Sequence, residues 1–176
     1  MEMHGTTIIG MHYNGHTVLC GDGQVTLGDT VMKGNAIKIR KIFGGKVIIG
    51  FAGATADAFS LLEKFEEKLN TNKGNLRKSA IDLARDWRQD RVLRRLEAML
   101  IAGDKDSILM ISGAGDVLET DDNIIAIGSG GNYALAAARA LVANTKLSAA
   151  QIAGEALRIA SEICIYTNKN ITLEEL

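Results

Sequence analysis

The period of apolar and polar positions changes several times along the chain. Residues 6–13, TTIIGMHY, can run extended into Asn14-Gly15, a dipeptide that tolerates the left-handed backbone of a two-residue hairpin. The chain returns through HTVLCGD (16–22). The following stretch, GDGQVTLGD (21–29), is rich in glycine and turn formers. KVIIGFAG (46–53) is apolar on both faces, which suits a central strand covered on both sides.

The period then lengthens. A first helix is predicted over 55–69, where Ala58, Leu62, Phe65 and Leu69 make one stripe. A second is predicted over 76–101. In its first half Leu76, Ala80, Leu83, Ala84 and Trp87 share a side. Val92, Leu93, Leu96, Met99 and Leu100 gather on nearly the opposite side. Such a helix either crosses two regions of one core or lies partly against a neighbouring copy. Strands return at SILMIS (107–112), at DVLET (116–120) after a GAGD turn, and at NIIAIG (123–128). A third helix is predicted over 132–143. A fourth opens at Ser148, whose capping box with Gln151 is reinforced by a Leu147–Ile152 staple. Ile152, Ala156, Ile159, Ala160 and Ile163 form its stripe, and NITLEEL (170–176) closes the chain as a strand. Strict βαβ alternation is absent. The order predicts an α+β fold, a four-layer αββα sandwich of two antiparallel sheets flanked by helix pairs.

Composition narrows the function classes more than the fold. The 176 residues suffice for one domain with a buried core. A net charge of −1 gives no field toward nucleic acid or an anionic membrane. The arginines at 85, 88, 91, 94 and 95 alternate with Asp86, Asp90 and Glu97, a mixture typical of a solvated or subunit-contact face. Cys20 and Cys164 have neither disulfide-framework nor metal-ligand spacing and read as reduced core residues. The first residues, MEMHG, lack the basic and apolar regions of a secretory signal. The apolar run 133–143 is interrupted by Arg139 and far too short to span a bilayer. A cytoplasmic, soluble protein is expected.

Candidate chemistry is sparse. There is no GxSxG elbow, and the three histidines lie at position 4 or beside the hairpin turn, at 12 and 16. A hydrolase without a histidine base needs another. An N-terminal threonine carries its own, because its α-amine can take the hydroxyl proton. That amine titrates at about 7.7–8.0, and a nearby ammonium lowers it further. Gly5-Thr6-Thr7 is a junction at which a short leader could leave to expose Thr6. Taken alone, these residues are also an ordinary strand start. Likewise Asp22 is a turn former by default, Lys33 and Lys38 are ordinary loop lysines, and GSGG (128–131) is compatible with an anion-binding nest but lacks a full nucleotide-binding pattern.

Several motifs in order change that weighting. TTI (6–8), GDGQVTLG (21–28), VMKGNAIKIRK (31–41), KVIIGFAGATADAF (46–59), DWRQDRVLRRLEAML (86–100), IAIGSGGNYALAAARAL (125–141) and ICIYTN (163–168) resemble the HslV (ClpQ) family of proteasome-like threonine peptidases. The resemblance runs from Thr6 to Leu176. It implies an N-terminal nucleophile hydrolase fold, a propeptide at 1–5 removed by self-processing, and one peptidase domain at 6–176. It assigns Thr6 as nucleophile, Lys38 as the lysine that tunes the α-amine, and Asp22 as the carboxylate holding that lysine. Lys33 becomes a second basic residue of the site, Gly50 the oxyanion-hole donor, and Ser129 a serine assisting near the amine. It also implies a sodium ion on the main-chain carbonyls of Ser161, Cys164 and Thr167, with no nucleotide on this chain. The implied partners are HslU (ClpY), a hexameric ATPase feeding unfolded proteins, and further copies forming a homo-dodecamer of two stacked hexameric rings. No nucleic acid or membrane is implied. The chain departs from many relatives at Asn132, where they carry proline, at Ser161, where they carry glycine, and in a leader longer than one methionine. Two other readings remain open: an N-terminal nucleophile amidase acting on a small molecule, and a non-catalytic ring subunit that keeps its propeptide.

Overall fold

The structure is a computed structural model and describes residues 3–53, 55–89 and 98–176. Among these, twelve strands and four helices are ordered as β1 (Met3–His4), β2 (Thr7–Tyr13), β3 (His16–Asp22), β4 (Val25–Leu27), β5 (Thr30–Lys33), β6 (Ile39–Ile42), β7 (Val47–Ala52), α1 (Thr55–Thr71), α2 (Leu76–Gln89), β8 (Met99–Gly103), β9 (Ile108–Ser112), β10 (Val117–Leu118), β11 (Ile124–Gly128), α3 (Gly131–Asn144), α4 (Ala149–Ile163) and β12 (Ile171–Glu175).

Two antiparallel sheets form the centre, one in the order β10-β9-β8-β7-β6 and one in the order β11-β2-β3-β12. Their facing sides bury Ile8, Leu19, Ile39, Ile48, Ile101 and Ile108. The outer side of the first sheet packs on α1 and α2 through residues such as Phe65, Leu83 and Trp87. The outer side of the second packs on α3 and α4 through residues such as Ile9, Ala138, Ile152 and Ala156. The four-layer αββα sandwich is therefore the fold. Each apolar strand residue has a destination: in β7, Val47 and Ile49 face the helices while Ile48 and Ala52 face the other sheet.

The hairpin forms at Asn14 (φ 52°) and Gly15 (φ 81°), as the sequence predicts. The capping box at Ser148 and Gln151 is complete in both directions. In α2 the whole predicted stripe of Leu76, Ala80, Leu83, Ala84 and Trp87 is buried. Three expectations need correction. The second helix does not reach 101: α2 ends at Gln89, and Met99–Gly103 is a strand between β7 and β9. Its Leu100 and Ile101 point to opposite sides of the sheet, which in sequence looks like a second helical face. Val92, Leu93 and Leu96 lie outside the described residues. In α1, Leu61 joins Phe65 and Leu69 as fully buried, whereas Leu62 is partly buried; the side chain of Ala58 lies outside the described residues. In α4, Ala153 and Leu157 complete the stripe, while Ile163 turns out to solvent at 54% exposure.

A third, small sheet in the order β1-β4-β5 stands beside the sandwich. The residues before Thr6 contribute to it, with Met3 opposite Leu27 and His4 opposite Thr26.

Candidate active site

Thr6 lies just before β2 and is 6% exposed. Its hydroxyl donates to the carbonyl of Gly5, the residue before it. Its own carbonyl accepts from Ser129 N–H at 2.9 Å. Gly128, at φ 87°, makes that contact possible, since a Cβ there would fall 1.8 Å from Thr6 O. Ser129 thus orients Thr6 by its main chain, and its side chain is exposed.

The next residue anchors the strand start. Thr7 N–H donates to Asp22 Oδ1 at 2.8 Å. Its hydroxyl accepts from Gly130 N–H at 2.9 Å and meets Thr167 Oγ1 at 2.7 Å. Asp22, at the end of β3, has a fully buried carboxylate. Lys38 Nζ donates to its Oδ1 at 2.8 Å, while Gln24 N–H at 2.9 Å and Asn168 N–H at 3.3 Å donate to Oδ2. Four donors on one carboxylate satisfy the charge that burial would otherwise penalise.

Lys38 reaches this carboxylate from the loop before β6, and Nζ also donates to Gln24 O at 2.6 Å. An ammonium has three N–H groups. One is left without a partner among the described residues. Burial pushes the lysine below its ordinary pKa, against the charge and hydrogen bond of Asp22, which hold it up. Thr6, Asp22, Lys38 and the main chain of Ser129 are therefore brought together.

Two expected members are not. Lys33 is exposed on β5, opposite Val25, and makes no ion pair among the described residues. Gly50 lies inside β7, opposite Ile39 on one side and Ile101 on the other. Phe51 N–H points to Lys38 O at 3.2 Å, so the preceding N–H of Gly50 faces β8 and is used by the ladder. A Cβ at Gly50 would lie 2.9 Å from Ile8 Cγ2. Its role is close packing between the sheets, which does not fit an oxyanion donor. The last pair of this ladder is Ala52 with Met99, so Gly53 carries the first N–H beyond it.

The C-terminal end of α4 adjoins the cluster. Cys164 and Thr167 are buried, and Ser161 is half-buried. The Ser161 hydroxyl donates to Arg158 O at 2.6 Å, and that of Thr167 is engaged with Thr7. Main-chain carbonyls at the negative end of the helix are what remains for a cation. Among the described residues no group of His, Cys, Asp and Glu side chains could hold a metal ion. Carbonyl oxygens are the kind of donor a hard alkali ion takes, and that of Cys164 also accepts from Thr167 N–H at 3.1 Å. Cys20 and Cys164 are free and buried, and burial pushes the Cys20 thiol up to about 12.

A family model described as proteasome subunit matches residues 2–176. The chain is 58% identical to the "ATP-dependent protease subunit HslV" of Petrotoga mobilis, over 99% of this chain and 98% of that protein. The chain belongs to the HslV family of proteasome subunits. The HslV subunit of Pseudothermotoga lettingae is also 58% identical, over the full length of both. The crystal structure of eukaryotic HslV from Trypanosoma brucei superposes with a TM-score of 0.92 at 46% identity, covering 97% of this chain and 98% of that one. In this HslV-family chain, Gln24 and Asn168 join the Asp22–Lys38 pair without being singled out in sequence. Gln24 sits within the GDGQ motif and Asn168 closes ICIYTN, but nothing local announces that Asn168 contacts Gly23 from 145 residues away.

Proposed function

We propose that this chain is the proteolytic subunit of an ATP-dependent protease, a threonine-type endopeptidase whose nucleophile is Thr6. The observation that carries this reading is the buried Asp22–Lys38 pair, which shares Asp22 Oδ1 with the N–H of Thr7, while the Thr6 hydroxyl lies on the Gly5 carbonyl.

The same geometry supports self-processing. Attack by Thr6 Oγ1 on the Gly5 carbonyl carbon forms an ester and breaks the Gly5–Thr6 amide. That step frees the α-amine; water then hydrolyses the ester, releasing residues 1–5 as a carboxylate and restoring the Thr6 hydroxyl. In peptide cleavage the amine accepts the hydroxyl proton as Oγ1 attacks, and returns it to the departing amine of the substrate. The Lys38 ammonium beside it favours the neutral, basic form of the amine. A main-chain N–H beyond the β7 ladder, at Gly53, is a better oxyanion donor than Gly50. Water finally hydrolyses the acyl-threonine.

The leader's pairing with β4 favours peptides over a small amide as substrate. Residues before the scissile bond already lie extended along a strand edge, as an unfolded polypeptide would. Sodium on the carbonyls of Ser161, Cys164 and Thr167 would brace the loop after α4; its chemistry is structural. The full assembly is a homo-dodecamer of two stacked hexameric rings, fed by the hexameric ATPase HslU, and ATP is used by that partner. Exposed Val31, Met32, Ile37 and Ile165 supply apolar surface for subunit contacts. Among the described residues no helix is long and apolar enough to cross a membrane.

Intact mass and peptide hydrolysis test the reading together. The wild-type chain should lose residues 1–5 and cleave a fluorogenic peptide in the presence of the ATPase. Thr6→Ala should retain the leader and lose hydrolysis by at least about 10³-fold, as befits a missing nucleophile. Active particles that keep residues 1–5 would identify a different mechanism.

A further inference from the structure

Asn168 has no role in the chemistry above, yet three segments of the site meet at it. Its N–H donates to Asp22 Oδ2 at 3.3 Å. Its side-chain Oδ1 accepts from Gly23 N–H and from Asn170 N–H, each at 3.1 Å. Its Nδ2 donates to Gly34 O at 2.8 Å. Gly23 immediately follows Asp22, and Gly34 begins the loop that leads from β5 to Lys38. One side-chain amide therefore spans the two loops that carry the acid and the base of the buried pair.

The loops are already in close contact. Ala36 N–H donates to Gly23 O at 2.9 Å, and a Cβ on Gly23 would lie 2.6 Å from Gly34 O. Asn168 sets their separation where Asp22 and Lys38 leave the main chain. It is half-buried and belongs to none of the three apolar clusters. Its removal costs little core packing. Asn170 Nδ2 also donates to Gly34 O, at 2.6 Å, so the second loop keeps an anchor when the Asn168 amide is lost. Gly23 does not.

We propose that Asn168 is a positioning residue of the peptidase reaction, its side-chain amide holding the Asp22 turn against the Lys38 loop so that the ammonium is presented to the amine of Thr6. This rests on the functional reading given above. A displacement near 1 Å at such a distance from the chemistry can cost up to about 10²-fold in rate. The hydrogen bonds of Asn168 run to Asp22, Gly23, Gly34 and Asn170, so the loss belongs in kcat.

The test uses processed, assembled particles with the ATPase partner. Fluorogenic-peptide kinetics are measured beside the rate at which a peptide vinyl sulfone labels Thr6. Asn168→Ala should lower kcat about tenfold or more, leave KM within about twofold, and slow labelling in parallel. Asn170→Ala, which spares Gly23 and Asp22, should stay within about twofold in both. Unchanged kcat in Asn168→Ala, a change confined to KM, or an equal loss in Asn170→Ala would each overturn the proposal. If Asn168→Ala does not form particles, Asn168→Ser is judged by the same criteria. Failure of both to assemble makes the residue structural and also overturns it. A wild-type particle without Thr6-dependent hydrolysis would bring down the functional reading itself, and this proposal with it.

Discussion

Gly5 shows how much one hydrogen atom can decide. Its φ is 125°, and a Cβ at this position would meet Gln24 O at 2.8 Å and Thr26 N at 3.2 Å. A side chain would therefore push the Gly5 carbonyl, where the chain is proposed to be cut, away from the Thr6 hydroxyl. Gly5→Ala should slow leader removal at least about tenfold without affecting the mature enzyme, since residue 5 is then gone. A time course of intact mass checks this; processing at the wild-type rate would mean that the leader is not cut from the conformation seen here. Lys38 gives a second prediction. Activity should rise as the Thr6 amine loses its proton, and fall again when Lys38 loses its charge. Burial lowers the lysine, so the alkaline fall should come below its ordinary value of 10.5. Asp22 opposes that shift by charge and hydrogen bond. Removing the opposition in Asp22→Asn should move the alkaline limb to still lower pH, besides reducing the maximal rate. The pH profile of kcat decides it, and a limb that stays in place would mean that the charge on Lys38 is not required.

At the scale of elements, Gly50 is a position where backbone packing rules. An added Cβ would lie 2.9 Å from Ile8 Cγ2 and 3.1 Å from Ile39 Cγ2, between two sheets with little room to give. Gly50→Ala should destabilise the chain by about 1–3 kcal/mol, the usual cost of overpacking, and chemical denaturation measures it. A wild-type midpoint would show that the sheets can part there at no cost. The same logic separates what was legible in sequence from what was not. The α2 stripe, the Asn14-Gly15 hairpin and the Ser148 cap are local codes, each complete within a few residues. By contrast β5 is exposed along its whole length and offers no alternation to read. β8 is covered on both faces, and its apolar run continues the helical pattern before it. For the site, Thr6, Asp22 and Lys38 were reached through motifs with their roles, whereas the ICIYTN motif that holds Thr167 and Asn168 does not reveal that these residues tie the site together. Thr167 meets Thr7 across 160 positions, and Asn168 meets Gly34 across 134. Only the folding of the loop after α4 onto the start of β2 and onto the loop after β5 creates those pairs.

At the scale of the whole molecule, the end of α4 and that same loop face outward with apolar side chains. Ile163 is 54% exposed and Ile165 is 78% exposed, on either side of buried Cys164. On a lone chain this surface would stay in water, at a cost of about 1–2 kcal/mol for each side chain relative to burial, since each is already partly covered. A second copy covering it would recover that energy at every equivalent contact of a ring. The arrangement also links assembly to chemistry, because Ile165 O accepts from Gln24 Nε2 at 2.8 Å and Gln24 O holds Lys38. Subunit contact at Ile165 would thus steady the main chain around Lys38. Ile165→Asp puts a carboxylate where a covering copy would make an apolar contact, and a buried unpaired charge costs more than the lost methyls. The variant should shift particles to smaller species in native mass spectrometry, and peptidase activity per subunit should fall with them. The main-chain bond to Gln24 does not depend on the side chain, so the fold of each subunit should persist by circular dichroism. A full-sized, fully active Ile165→Asp particle would place the subunit contacts on another face and leave Ile165 a solvent-exposed residue.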